Sequence, residues 1–366
     1  MNFDFSDDQK LLKEQVRKFL TDKCPMKVVR RVLDGSETHA DEVWKGLVEL
    51  GVPATNIPEE FGGLGLTPLE LCVIAEEIGR ATAPVPFETS VVLATEALKL
   101  AGSEAQKKKW LPLLAQGKAT GTLAVSEGPQ PPKPRNITTT FGGGKLNGKK
   151  VPVADGESAT FAVVLARNSL VLVDLSQKAV TKRRVETIDP ARKHAELTFN
   201  DAAAELLGAE GEGWRLLERL YDAAAVYFAF AQVGGAEAAM WMARDYALQR
   251  QAFGRAIGSY QAIKHKLADC YVKLELARSN AYYGAMMLTD GGADLPLAAA
   301  AARIAATEAY DFAAKENIQT HGGIGFTWEA DTQFHLRRAK LLALSIGGPM
   351  AWKDKLVSRL EQKNVA

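Results

Sequence analysis

The chain has 366 residues, of which 47% are apolar and 24% charged, with a net charge of +1. That length exceeds one ordinary hydrophobic core, so two or three domains or layers are expected. The balanced charge and the lack of any basic block exclude the electrostatic footprint of a nucleic-acid binder. Cys24, Cys72 and Cys270 are odd in number and far apart, which fits unpaired thiols in a reducing compartment. The five histidines show no metal-ligand spacing, so no metal is expected. MNFDFSDDQ at the start carries no signal-peptide pattern. The apolar run 223–243 is interrupted by Gln232, Gly234, Gly235 and Glu237 and lacks basic flanks, so it reads as a bundle helix rather than a membrane span. A cytoplasmic protein with no membrane partner is the expectation.

Taken in order, Ser6 with Gln9 spells a capping box, and Leu12, Val16, Phe19 and Leu20 then recur at helical spacing. A second helix carries Val43, Trp44, Leu47 and Leu50 up to Gly51. After the glycine-rich turn from Pro58, Thr67, Pro68 and Glu70 read as N-cap, first helical residue and reciprocal partner of a helix ending near Gly79. Helices over Phe87–Ala101 and Glu104–Leu114 complete an all-helical N-terminal domain, 1–118.

Near Thr120 the periodicity becomes alternating. Thr122–Ser126, Lys145–Val153, Thr160–Ala166, Leu170–Leu175 and His194–Phe199 read as strands of a middle antiparallel β domain, 119–205. The proline-rich linker Gly128–Arg135 cannot be helix or central strand. From about Leu206 the helical pattern returns, and four or five long helices predict a C-terminal four-helix-bundle-like domain, 206–366. The fold class is α+β.

Two stretches of the bundle carry chemistry. RQAFGRAIGSYQAIKHKLAD, from Arg250 to Asp269, breaks at Gly254 and Gly258 and reopens a helix near Ser259. Arg250 offers a bidentate fork for phosphate, and a helix N-terminus favours an anion. A helix hairpin whose arginine solvates a turn is the alternative these residues leave open. QTHGGIG, Gln319–Gly325, places adjacent glycines where a backbone can approach a ligand closely.

R-x-x-F-G followed by Q-x-x-G-G-x-G resembles the flavin-binding C-terminal region of the acyl-CoA dehydrogenase family, and the PEEFGG turn with its EEIGR helix resembles it too. The resemblance implies the acyl-CoA dehydrogenase fold over essentially the whole chain. It also implies FAD met by Arg250, Phe253, Ile257 and Gln261, with Gln319, Gly322 and Gly323 close by, bound mainly to a neighbouring subunit. Val125 and Ser126 could meet the flavin ring. The implied reaction removes two hydrogens across the α and β carbons of an acyl-CoA thioester, with an electron-transfer flavoprotein as electron acceptor. A carboxylate takes the weakly acidic α proton, and desolvation makes it a better base.

That carboxylate is hard to find. The two family positions for it fall on Ala224 and Ile346, and 223–236 holds no acid. Asp222 is the remaining candidate base, and an N-cap at the start of its helix is the structural alternative. The family's T-E-P-x-x-G-S-D loop becomes Ser126-Glu127-Gly128-Pro129, and Pro152 and Ala154 stand where an aromatic and a hydroxyl usually face the flavin. Three readings stay open: the base-lacking subunit of a heteromer (a heterotetramer with a paralogous dehydrogenase subunit), a self-sufficient homo-oligomer with an atypical base, and a non-catalytic acyl-CoA-binding scaffold. HGGIGFTWEADTQFHLRRA, which resembles bacterial enzymes of steroid or bulky side-chain breakdown, favours the first.

Overall fold

The computed structural model describes residues 5–365. Helix α1 (Asp7–Lys23) opens with the expected capping box between Ser6 and Gln9 and closes at Cys24, ahead of Pro25. Then follow α2 (Met26–Asp34), α3 (Asp41–Glu49), α4 (Pro68–Arg80), α5 (Thr95–Ala101) and α6 (Glu104–Ala115). Gly51 leaves α3 with φ 78°, a left-handed turn that glycine adopts without steric cost. Thr67 and Glu70 cap α4 reciprocally, as the sequence predicts. Helix α2 was not expected, and Phe87–Ala94 is π-helical where an α-helix was. The whole π-helical stretch is buried.

The strands are β1 (Gly121–Ala124), β2 (Thr140–Gly142), β3 (Lys145–Ala154), β4 (Phe161–Ala166), β5 (Ser169–Asp174), β6 (Val180–Val185) and β7 (His194–Leu207). They form one seven-stranded sheet ordered β1-β4-β5-β7-β3-β2, with β6 on β7. The expectation of a purely antiparallel domain needs correction, because β1 runs parallel to β4, Gly121 opposite Phe161. Strand β7 runs eight residues past Phe199: β6 pairs with it from His194 to Phe199, β3 from His194 to Ala203, and β5 from Ala204 to Leu207. Asp201 takes φ 53° inside this continuing strand. Every residue of β4 is buried, whereas edge strand β6 carries Lys182, Arg183 and Arg184, the charges that discourage further pairing.

Five helices close the chain: α7 (Gly213–Gln249), α8 (Gln261–Thr289), α9 (Leu295–His321), α10 (Thr332–Ser345) and α11 (Pro349–Val365). A two-stranded hairpin, β8 (Gln251–Ala252) with β9 (Arg255–Ala256), links α7 to α8. Helix starts at Gly213, not near Leu206, which still belongs to β7. None of the helices described is long and apolar enough to cross a membrane. The three cysteines are buried, and none is in a disulfide.

Two compact units emerge. One holds the chain up to Lys27, Cys72–Ala83 and the residues from Ala225 onward; the other holds Val28–Leu71 and Pro84–Ala224. In the first, Gly79 of α4 lies against the Ala231 carbonyl, and fully buried Glu76 takes Lys13 at 2.6 Å together with Arg278. Glu77, equally buried, holds Arg17 at 2.7 Å and Arg80 at 3.0 Å. In the second, Ala124, Val164, Val171, Leu197 and Phe199 form part of the sheet's core, and Arg192 joins Glu88 and Asp155 in a buried ionic cluster.

Candidate functional site

The end of α7 and the end of α9 meet in a cleft of about 530 Å³. Tyr246 comes from the last turn of α7 and Arg250 directly follows the helix, its amide donating to the Tyr246 carbonyl at 2.9 Å. Ile257 follows the β8–β9 hairpin, and its amide donates to the Arg250 carbonyl at 2.8 Å, folding the hairpin back on the helix. Thr320, His321, Gly322, Gly323 and Ile324 supply the opposite wall. Arg250 is the cation of the lining, and no carboxylate lines it.

The glycine pair ends α9. Gly322 takes φ 61° and ψ −141°, a region open essentially to glycine alone. A Cβ on either Gly322 or Gly323 would meet no heavy atom within 4 Å, so the backbone there faces open space and can be approached closely. Beside it the Tyr246 and His321 rings stack with centroids 4.1 Å apart and planes 25° from parallel. His321 Nδ1 lies 2.8 Å from the Asn317 carbonyl.

Four residues singled out from the sequence therefore line one cleft: Arg250, Ile257, Gly322 and Gly323. Phe253, Gln261 and Gln319 lie outside its lining, all exposed. Phe253 sits at the hairpin tip with φ 51°, and 96% of its surface is bare. Gln261 opens α8 after an N-cap, Tyr260, that contributes no side-chain cap. Since Gln261 is outside the lining, the cleft's attraction for an anion rests on Arg250 and not on that helix end.

Val125 and Ser126 belong to the other unit, just beyond β1. Lys150 Nζ donates to the Val125 carbonyl at 3.0 Å and to Glu127 Oε1 at 2.8 Å, and Val151 N donates to the Ser126 carbonyl at 2.9 Å. Burial alone would raise the Glu127 carboxyl. The Lys150 ammonium and the hydroxyls and amide of Thr138 and Thr139 outweigh it and hold Glu127 at about 2.

The expected carboxylate positions are apolar and inward-facing. Ala224 is fully buried within α7. Ile346, 2% exposed, is the C-cap of α10, and its carbonyl accepts the Trp352 indole N–H at 3.2 Å. Arg303, also buried, donates to the Leu342 carbonyl in the last turn of α10 and to Gln232. Asp222 is not an N-cap: α7 begins nine residues earlier, and Asp222 is buried in its interior. Tyr246 and Thr320 went unrecognised in the sequence, although Tyr246 lies four residues before Arg250, in the last turn of α7. His335 is fully buried and meets the Tyr310 hydroxyl at 3.2 Å.

The chain thus pairs an α+β fold, helices before and after a mostly antiparallel sheet, with a cleft that sets a cation against bare glycine backbone. Residues 6–118 match the model of the acyl-CoA dehydrogenase N-terminal domain, and residues 200–349 match that of the C-terminal domain. The chain is 31% identical to acyl-CoA dehydrogenase IpdE2 of Mycobacterium tuberculosis over 98% of its own length and 97% of that protein's. It is 31% identical to the mitochondrial isovaleryl-CoA dehydrogenase of Oryza sativa subsp. japonica, covering 94% of this chain and 88% of the other. Among solved structures, a variant of the Tcur3481–Tcur3483 steroid ACAD superposes with a TM-score of 0.89 at 27% identity, covering 98% and 99% of the two chains. The glutaryl-coenzyme A dehydrogenase complex with glutaryl-CoA gives 0.91 at 25%, covering 100% and 98%. The chain belongs to the acyl-CoA dehydrogenase family, FAD-dependent oxidoreductases acting on CH–CH bonds.

Proposed function

We propose that this chain is the base-lacking subunit of a heteromeric acyl-CoA dehydrogenase, lending its cleft to a FAD shared with a paralogous subunit. The observation that carries the reading is the pairing of a formed cation-and-glycine cleft with two buried apolar residues, Ala224 and Ile346, at the family's carboxylate positions. The cleft fits the cofactor's diphosphate: Arg250 can fork two phosphate oxygens, and the bare backbone at Gly322 and Gly323 admits close approach. Bound flavin supplies the hydride acceptor for α,β-dehydrogenation of the thioester.

This chain's own residues bind and orient. Phe253, bare at the hairpin tip in a strained backbone conformation, would meet a partner rather than its own fold. Val125 and Ser126 would face the ring from the β domain, their loop tied down by Lys150. Gln261 and Gln319 would join from the exposed ends of α8 and α9. The division into parts 1–118, 119–205 and 206–366 belongs to the same reading. The two-component name of the steroid ACAD relative supports a paired assembly and a bulky acyl-CoA substrate. An electron-transfer flavoprotein as electron acceptor belongs to the same reading.

Expression alone against co-expression with a neighbouring paralogue tests this. A colourless chain alone and a yellow, acyl-CoA-reducible complex are expected. A chain that is yellow by itself and bleaches with an acyl-CoA refutes it.

A further inference from the structure

We propose that a second cavity, between α1, α7 and α8, binds a small amphipathic monocarboxylate. Its apolar body would lie among three aromatic rings, and its carboxylate at Lys13 and Arg278. The cavity holds about 520 Å³, within the range of small-molecule sites. From Phe230, in its wall, α7 climbs about 24 Å to Tyr246 of the cofactor cleft, so the two sites do not share a lining residue. The assignment stands whether or not a flavin occupies that cleft. Phe5, Phe230 and Tyr282 form the apolar half. Phe5 meets the Tyr282 ring edge-on with centroids 5.1 Å apart, and its centroid lies 6.3 Å from that of Phe230.

The polar half is the edge of a buried ionic network. Glu76 takes Lys13 and Arg278, Glu77 takes Arg17 and Arg80, and Glu237 joins Arg80 and lies 3.5 Å from Arg278. Burial alone would raise the Glu76 carboxyl, but Lys13 and Arg278 outweigh it and hold it below the ordinary carboxylate range. Among the described residues the network therefore sets four cations, Lys13, Arg17, Arg80 and Arg278, against three inner carboxylates, Glu76, Glu77 and Glu237. One positive charge is left over, and both Lys13 and Arg278 line the cavity. The carboxylate that balances it, Glu275, lies 3.5 Å from Arg278 with 44% of its side chain exposed, where water screens it. Aromatic rings also suit an ammonium ligand, but here such a ligand would face two cations. The charge complement is an anion.

The test is calorimetry of the full chain with decanoate, decanol and decyltrimethylammonium, which share one apolar body, with thermal melting as a control on folding. Decanoate should bind one to one and about tenfold more tightly than decanol, the size expected of one charge-assisted hydrogen bond. The ammonium compound should bind least. Lys13→Met keeps the stem and leaves Glu76 to Arg278, and it should remove most of the advantage of decanoate over decanol. Glu275→Gln removes the opposing charge at the rim and should tighten decanoate binding with the melting temperature unchanged. Should Lys13→Met melt early, the direction of the Glu275→Gln change decides. Ser279→Trp, from the exposed wall of the cavity, should exclude all three compounds. Equal affinity for decanoate and decanol, preference for the ammonium, no binding of decanoate, or decanoate binding untouched by Ser279→Trp overturns the assignment. None of these outcomes bears on flavin content, which tests the heteromer reading separately.

Discussion

Gly234 of α7 lies so close to Glu76 of α4 that a Cβ on it would stand 1.8 Å from the Glu76 carbonyl oxygen. The contact is reciprocated one turn away, where a Cβ on Gly79 would stand 1.9 Å from the Ala231 carbonyl. Two glycines thus let a pair of helices touch backbone to backbone, and the buried Glu76 and Glu77 carboxylates gather their cations around the crossing. Gly234→Ala drives a methyl group into backbone that cannot rotate away. A loss of about 3 kcal/mol or more is expected, at the upper end of overpacking costs. Gly142→Ala, where nothing lies within 4 Å, should stay within about 0.5 kcal/mol of wild type. Urea denaturation of both variants is the check.

His335 predicts a pH dependence. Burial, helped by the positive charges of Arg338 and Arg80, pulls its imidazole from 6.5 down to about 4. Between those values the unfolded chain binds the proton and the folded chain does not. The contribution to stability is therefore complete above about 6.5 and lost as pH falls toward 4. A displacement of that size is worth on the order of 3 kcal/mol. His335→Gln, which cannot titrate, should flatten stability between pH 6.5 and 4.5; an unaltered slope would show that other groups set it.

Gly322 and Gly323 should separate folding from binding. Gly322→Ala forces a side chain into a backbone conformation reserved for glycine, at a cost of about 1–3 kcal/mol. Gly323 has no positive φ and open space around it, so Gly323→Ala should leave the melting temperature unchanged. Flavin content of the assembled protein should nevertheless drop in Gly323→Ala, because the methyl group occupies the approach to the backbone. Full flavin content in that variant would remove the glycine from the site.

Lys150 is fully buried and bonded to both Val125 and Glu127. Lys150→Met would take the cation from the half-buried Glu127 carboxylate, which keeps its bonds to Thr138 and Thr139, so a loss of about 1.5–3 kcal/mol is expected, the range for a hydrogen bond to a charged group. The proline-rich segment beyond Glu127 should loosen in step, so trypsin should cut after exposed Arg135 faster than in wild type. A cleavage rate equal to wild type would mean that the loop is held by other contacts.

Local signals were legible where a few neighbouring residues decide the outcome. The Ser6 capping box, the Thr67-Pro68 helix start and the Gly51 stop depend on bonds spanning three or four residues, and such bonds are written in order. Strand β6 escaped notice because TKRR reads as solvated loop until an edge position explains its charges. The parallel partnership of β1 with β4 and the continuation of β7 past Asp201 are long-range pairings, and no local period encodes them.

At the site, the sequence by itself determined the family, the cation, the glycine pair and the absence of a carboxylate at positions 224 and 346, because motif spacing along two helices carries them. Only the tertiary structure decided which of those residues share a wall. The α7 and α9 ends meet through packing between helices, which places Tyr246 against His321 and leaves Phe253 bare. It also moved Asp222 from a helix cap to a helix interior, since a helix start is set by where β7 stops, not by the acid itself.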